Sequence, residues 1–150
     1  MKAPNFELAD QNGIIRKLTD YKGKWVLVYF YPKDDTPGCT VEACGLRDSY
    51  HELEGLGVQV LGISKDSVKS HEKFSKKYEL NFPILSDEST ETIKAFGAWG
   101  MKSFMGRKYE GINRKSYLVD PEGEIRKEYD KVNPTIHAAE IIEDVKSFQK

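Results

Sequence analysis

The sequence predicts an α/β protein with a central mixed β-sheet flanked by helices. Three observations carry that class. Two continuous apolar runs, Trp25 to Pro32 and Val58 to Ser64, are rich in β-branched and aromatic residues and read as strands buried on both faces. Each is followed by apolar residues at three-four spacing, the mark of an amphipathic helix. A turn signal, Pro121-Glu122-Gly123, then joins two strand-like runs ahead of a last helix. Strand–helix–strand–helix followed by a hairpin and a helix is the order of an α/β sandwich.

In chain order, Asn12-Gly13 between Phe6–Leu8 and Ile14–Leu18 predicts an N-terminal β-hairpin. The first buried strand leads to a helix ending near Leu56, with Ala43, Leu46, Tyr50 and Leu53 on its apolar face. After the second strand, Asp66 and Ser67 are able to cap a helix reaching Tyr78, with Val68, His71, Phe74 and Tyr78 along one face. Phe82 to Asp87 is short, as a third strand would be, and Ser89 opens a brief helix through Thr92, Ile93 and Phe96. Lys115 to Asp120 and Glu124 to Asp130 form the second hairpin. Pro134 to Phe148 is the last helix, burying Ala138, Ile141, Ile142, Val145 and Phe148. Gly97 to Asn113 has four glycines and no clear period, so it reads as a long loop, either a mobile surface excursion or an active-site wall, and its aromatics Trp99, Phe104 and Tyr109 favour the wall.

The 150 residues suit one domain, residues 1–150, able to close a single core. Composition is that of a globular protein, 39% apolar and 31% charged. A net charge of −1 gives no electrostatic case for nucleic acid or an anionic membrane. No apolar run approaches the roughly 20 residues that span a bilayer, and "MKAPNFELAD" lacks the apolar stretch of a signal peptide. Two cysteines are too few for a secreted disulfide scaffold, so a cytoplasmic setting is expected, where a close pair is more often chemical than structural.

Both thiols lie in "FYPKDDTPGCTVEACGLRD", Phe30 to Asp48. Thr36-Pro37 has the form of an N-cap with proline at the first helical position, which puts Cys39 in the first turn. There the unpaired N–H groups and the helix dipole favour an anion, and a thiolate is one. The Thr36 hydroxyl is placed to donate to the sulfur or to a substrate oxygen. Asp34 and Asp35 favour the helix start but oppose a thiolate. Five residues along an ideal helix separate Cys39 and Cys44 by about 7.5 Å of rise and about 140°, hence about 8.6 Å between Cα atoms. A disulfide needs about 4.4 to 6.8 Å. Joining the thiols therefore requires the first turns to unwind, and Gly45, about 1 kcal/mol worse than alanine in a helix, makes that cheaper.

"YPKDDTPGCTVEACGLRD" resembles the active-site segment of peroxiredoxins, in the bacterioferritin comigratory protein or PrxQ subgroup. The Pro-x-x-x-Thr-x-x-Cys pattern falls on Pro32, Thr36 and Cys39, and the subgroup's second cysteine on Cys44. "VLGISKDS", "NFPILSDE" and the segment with Arg114 ahead of "KSYLVD" extend the likeness over nearly the whole chain. The resemblance implies a thioredoxin-like fold and a thioredoxin-dependent thiol peroxidase, an antioxidant enzyme. It makes Cys39 the peroxidatic and Cys44 the resolving cysteine. Thr36 and Arg114 would be donors to the thiolate and peroxide, and Pro32 the residue that shields the site from water. It implies peroxide substrates, thioredoxin or a similar dithiol reductant, a monomer or weak dimer, and no metal or organic cofactor.

The alternatives are a thiol–disulfide oxidoreductase, which the five-residue spacing disfavours against CxxC, and a non-catalytic holdase. A metal site is the weakest, since His51, His71 and His137 are scattered, with no ligand spacing to the cysteines. His71 sits on an apolar helix face and reads as a satisfied core histidine, whereas His51 and His137 read as surface groups.

Overall fold

The computed structural model describes residues 1–149, apart from the side chain of Phe104, so the expectation for that ring falls outside it. The chain opens with β1 (Glu7–Ala9), β2 (Ile15–Lys17) and a 3-10 turn, then β3 (Trp25–Phe30) and α1 (Pro37–Gly55). β4 (Val58–Ser64), α2 (Val68–Tyr78), β5 (Ile84–Ser86) and α3 (Glu91–Phe96) follow. The rest is β6 (Trp99–Phe104), β7 (Arg107–Ile112), β8 (Lys115–Val119), β9 (Ile125–Tyr129) and α4 (His137–Phe148).

Among the described residues, one mixed sheet runs β2-β1-β5-β4-β3-β8-β9, and β6-β7 form a separate ribbon. β3, β4 and β5 are parallel and central. β8 runs antiparallel to β3, and β9 to β8. The side chains of β3 alternate between two cores. Leu27 and Tyr29 join Leu46, Leu53, Val60, Ile141 and Val145 beneath α1 and α4. Val26, Val28 and Phe30 join Leu61, Ile63, Ile93, Phe96 and Tyr117 on the opposite face. Both sets are buried, which is why the strand reads as an unbroken apolar run. Each fully buried aliphatic side chain contributes about 1.5–3 kcal/mol, so Leu46→Ala, which also leaves a cavity, would cost about 2–5 kcal/mol.

Local rules place the ends of α2. Ser67 Oγ accepts from Ser70 N at 3.1 Å, and Lys76 and Lys77 occupy its last turn. Trp25, at the mouth of β3, stacks on Phe148 with ring centroids 5.7 Å apart. Gly62 in β4 is required by packing, because a Cβ there would lie 2.8 Å from Cζ of the buried Tyr29 ring.

Three expectations are corrected. Gly97 to Asn113 is mostly the β6-β7 hairpin, turned at Met105 and Gly106 with both φ angles positive (49° and 80°). α4 begins at His137 rather than Pro134, because residues 133–136 close a turn through Ile136 N to Asn133 O at 3.2 Å. His137 is buried, with Nε2 at 2.8 Å from Ser116 Oγ and its ring edge-on to Tyr129. It therefore belongs to the core, whereas His51 is exposed.

Candidate active site

α1 leaves β3 through residues 31–36, and the loop is held from the side. Asp34 is buried, accepting from Tyr31 OH at 2.6 Å and Ser70 Oγ at 2.8 Å, with His71 Nδ1 at 2.7 Å. His71 Nε2 lies 2.9 Å from the Leu85 carbonyl, so His71 is the satisfied core histidine the sequence suggests. Asp66 adds a further tie, accepting from Asp34 N at 2.9 Å. Ligand atoms of Asp34, Asp66 and His71 lie within 4.8 Å of one another, but all three residues are already spent on hydrogen bonds that fasten the loop to α2 and β5. Asp35 is drawn off as well, to Lys77 Nζ at 2.8 Å and Tyr78 OH at 2.7 Å. Those hydrogen bonds, Lys77 first, hold its carboxyl below the usual range. Both acids thus face α2 instead of the helix start where the sequence reading put them.

Thr36 is the N-cap residue in extended backbone, with Pro37 beginning the helix. Its hydroxyl donates to the Lys33 carbonyl at 2.9 Å and makes no side-chain cap bond. The first intrahelical bond is Thr40 N to Thr36 O at 2.8 Å. The amides of Gly38 and Cys39, earlier in that turn, have no intrahelical acceptor.

Cys39 is buried at 1% exposure, and Cys44, further along the same unbroken helix, is half-buried; both are free thiols. Arg114, from the connection between β7 and β8, reaches across to Cys39. Its Nη2 lies 3.2 Å from Cys39 Sγ and its Nη1 donates to Glu42 Oε1 at 2.8 Å. Burial opposes the guanidinium's charge, and Cys39 and Glu42 more than offset this, so its pKa is raised. Pro32 is half-buried on the loop between β3 and α1.

Four residues at the site escaped the sequence reading. Glu42 is buried, and burial pushes its carboxyl up to about 7 although Arg114 pulls the other way. Its place was legible, since it lies three residues from Cys39 and four from Leu46, on the buried stripe. Gly38 matters because a Cβ there would meet Arg114 Nη2 at 3.0 Å. Lys102 on β6 donates to the Ile112 carbonyl at 2.8 Å, and burial, then Arg114, lowers its pKa. Tyr29 on β3 is buried with a hydroxyl that has no partner among the described residues. No sequence signal marks Lys102 or Tyr29.

A buried thiol on the first turn of a helix, served by a guanidinium, on a mixed sheet of this order, is the layout of a thiol peroxidase on a thioredoxin-like fold. The AhpC/TSA family matches residues 1–128, and the chain belongs to that family. The peroxiredoxin Bcp of Escherichia coli K12 is 52% identical over 135 residues, covering 90% of this chain and 86% of that protein. The peroxiredoxin Bcp of Bacillus subtilis 168 is 43% identical over 149 residues, covering 99% and 95%. The Xanthomonas campestris bacterioferritin comigratory protein, studied for alkyl peroxide reduction, superposes with a TM-score of 0.92 at 35% identity over 97% of this chain and 92% of that one. The thioredoxin-like fold and the peroxiredoxin resemblance read from the sequence both hold.

Proposed function

We propose that this enzyme reduces hydrogen peroxide and organic hydroperoxides through Cys39 and Cys44, with thioredoxin or a similar dithiol as reductant. The observation that carries the proposal is the Arg114 guanidinium 3.2 Å from Cys39 Sγ at the start of α1. In this reading residues 1–150 act as one cytoplasmic domain in antioxidant defence, as a monomer or weak dimer.

The Cys39 thiolate attacks the distal peroxide oxygen in line. An S–O bond forms, the O–O bond breaks, and the departing oxygen takes up a proton to leave as water or alcohol, giving a sulfenic acid at Cys39. Arg114, with its rigid fork of donors, and the free amides at the helix start stabilise charge on the two peroxide oxygens. Thr36, three residues before Cys39, presents its hydroxyl to the peroxide once it leaves the Lys33 carbonyl. Pro32, on the neighbouring loop, limits water access.

Cys44 then attacks the Cys39 sulfur, the S–O bond breaks, and water leaves as the disulfide forms. The helical separation of about 8.6 Å requires α1 to unwind between the two cysteines first. The external dithiol reduces the bond through a mixed disulfide, and a second peroxide arriving before resolution carries Cys39 to the sulfinic acid.

The test is peptide mapping after one equivalent of peroxide. A Cys39–Cys44 crosslink is expected. A crosslink between two chains, or thiols left free while peroxide disappears, would overturn the scheme.

A further inference from the structure

Among the described residues two buried side-chain oxygens have no hydrogen-bond partner, Glu42 Oε2 and Tyr29 OH. Both border Cys39. Tyr29 packs in the same core cluster as the cysteine, and burial, with the fields of Glu42 and Cys39 behind it, holds its phenol well above its ordinary pKa. Glu42 is supported only through Oε1, and the cation that supports it is shared. Arg114 gives Nη1 to Glu42 at 2.8 Å while its Nη2 faces Cys39 Sγ at 3.2 Å. One guanidinium thus serves two groups, each able to carry a negative charge. Charging both leaves an excess anion in a site where one carboxylate oxygen has no donor, and a single proton on the pair removes that cost.

The neighbouring groups supply no second counter-ion by hydrogen bond. Tyr29, from β3, is a neutral phenol. Lys102, from β6, sends its amine to the Ile112 carbonyl. His137, from α4, is pulled down by burial and bonded to Ser116 and Glu140. Asp34, on the loop before α1, is taken up by Tyr31, Ser70 and His71. Glu42 also lies between Cys39 and Cys44, inside the segment that has to unwind. Unwinding would carry it from its buried position into water, where a carboxyl ionises in the ordinary acidic range.

We propose that Cys39 and Glu42 of the reduced enzyme hold one proton between them, and that Glu42 releases this proton when the Cys39–Cys44 disulfide forms. The proposal rests on the disulfide chemistry proposed above. Written with the proton on Glu42, the Cys39 thiolate, the Cys44 thiol, the Glu42 carboxylic acid and ROOH give the disulfide, the Glu42 carboxylate, ROH and water. The two sulfurs lose two electrons, the O–O bond takes them up, and the three protons end on ROH and water. The charge of −1 moves from sulfur to carboxylate, so solvent supplies no proton. Glu42 is then a positioning residue that balances charge through Arg114.

The experiment counts protons. Reduced enzyme in weakly buffered solution at pH 6 receives one equivalent of hydrogen peroxide, with an indicator dye reading uptake and intact mass reading disulfide formation. Wild type is expected to take up no proton per disulfide. Glu42→Gln, which keeps the acceptor for Arg114 but cannot release a proton, is expected to take up one. Uptake of one proton by wild type overturns the proposal without reference to the variant, and so do equal counts in the two proteins. A wild-type mass that fails to fall by two hydrogens would instead overturn the Cys39–Cys44 chemistry itself.

Discussion

Arg114 and Cys39 stand 75 positions apart in the chain, yet Nη2 of one lies 3.2 Å from Sγ of the other. That contact joins two elements the sheet brings side by side, since β3 feeds α1 and β8, which follows Arg114, is the antiparallel neighbour of β3. It is the only hydrogen bond to either thiol among the described residues.

Losing the guanidinium removes the one side-chain donor to Cys39 Sγ, the sulfur proposed to react. Arg114→Ala is expected to lower the second-order rate of Cys39 oxidation by about a hundredfold, the scale for a lost charge-stabilising donor. Stopped-flow mixing with peroxide at pH 7 checks it, and a change within twofold would remove Arg114 from the chemistry.

Gly38 gives a subtler perturbation. A methyl group there would press on Arg114 Nη2 at 3.0 Å, and a flexible side-chain tip yields by a few tenths of an ångström. Gly38→Ala is therefore expected to keep its thermal stability while losing about tenfold in oxidation rate, because small misplacements of a positioned donor are costly. A normal rate with a lowered melting temperature would show that the glycine serves packing alone.

Glu42 predicts a pH dependence of stability with a definite sign. Its carboxyl is pushed up by burial from 4.5 to about 7 in the folded chain, against the pull of Arg114. Between those values the folded chain keeps a proton that the unfolded chain has lost. The contribution is thus fully present below about 4.5 and is lost as pH rises through about 7. It amounts to about 3 kcal/mol. Denaturant melts of reduced wild type and Glu42→Gln at pH 5 and pH 8 should diverge at the higher pH, with wild type losing more. Parallel behaviour would contradict the raised value.

His71 tests the fastening of the active-site loop. Its imidazole holds Asp34 at 2.7 Å and the Leu85 carbonyl at 2.9 Å, all buried. His71→Leu would leave Asp34 without its ring partner and is expected to cost about 3 kcal/mol. His51→Ala, at an exposed position, should stay within about 0.5 kcal/mol. Urea unfolding compares them, and equal losses would deny the loop its anchor.

How far the sequence reached follows from what each residue answers to. β3 and β4 were legible because both faces of each are buried, and α1 because Thr36-Pro37 opens it. The β6-β7 hairpin was not. Residues 107–110 of β7 are all exposed, so no alternation marks the strand, and the turn uses Met105-Gly106 in place of Asn-Gly. His137 was misplaced because its burial comes from β8 and β9, through Ser116 and Tyr129, far away in sequence. Asp34 and Asp35 were read against the helix start nearest in sequence, while their partners come from α2, about 40 residues on. Cys39 and Arg114 were found through a family motif; local spacing by itself gave Cys39 a reason for reactivity and left its cationic partner unnamed.

The central claim is that peroxide is reduced at Cys39 and the product resolved by Cys44. Peroxide consumption by purified Cys39→Ser and Cys44→Ser, with and without a dithiol reductant, tests it most directly. The account predicts no consumption by Cys39→Ser, and one peroxide per thiol without thioredoxin-coupled cycling by Cys44→Ser. Wild-type turnover by Cys39→Ser would contradict it.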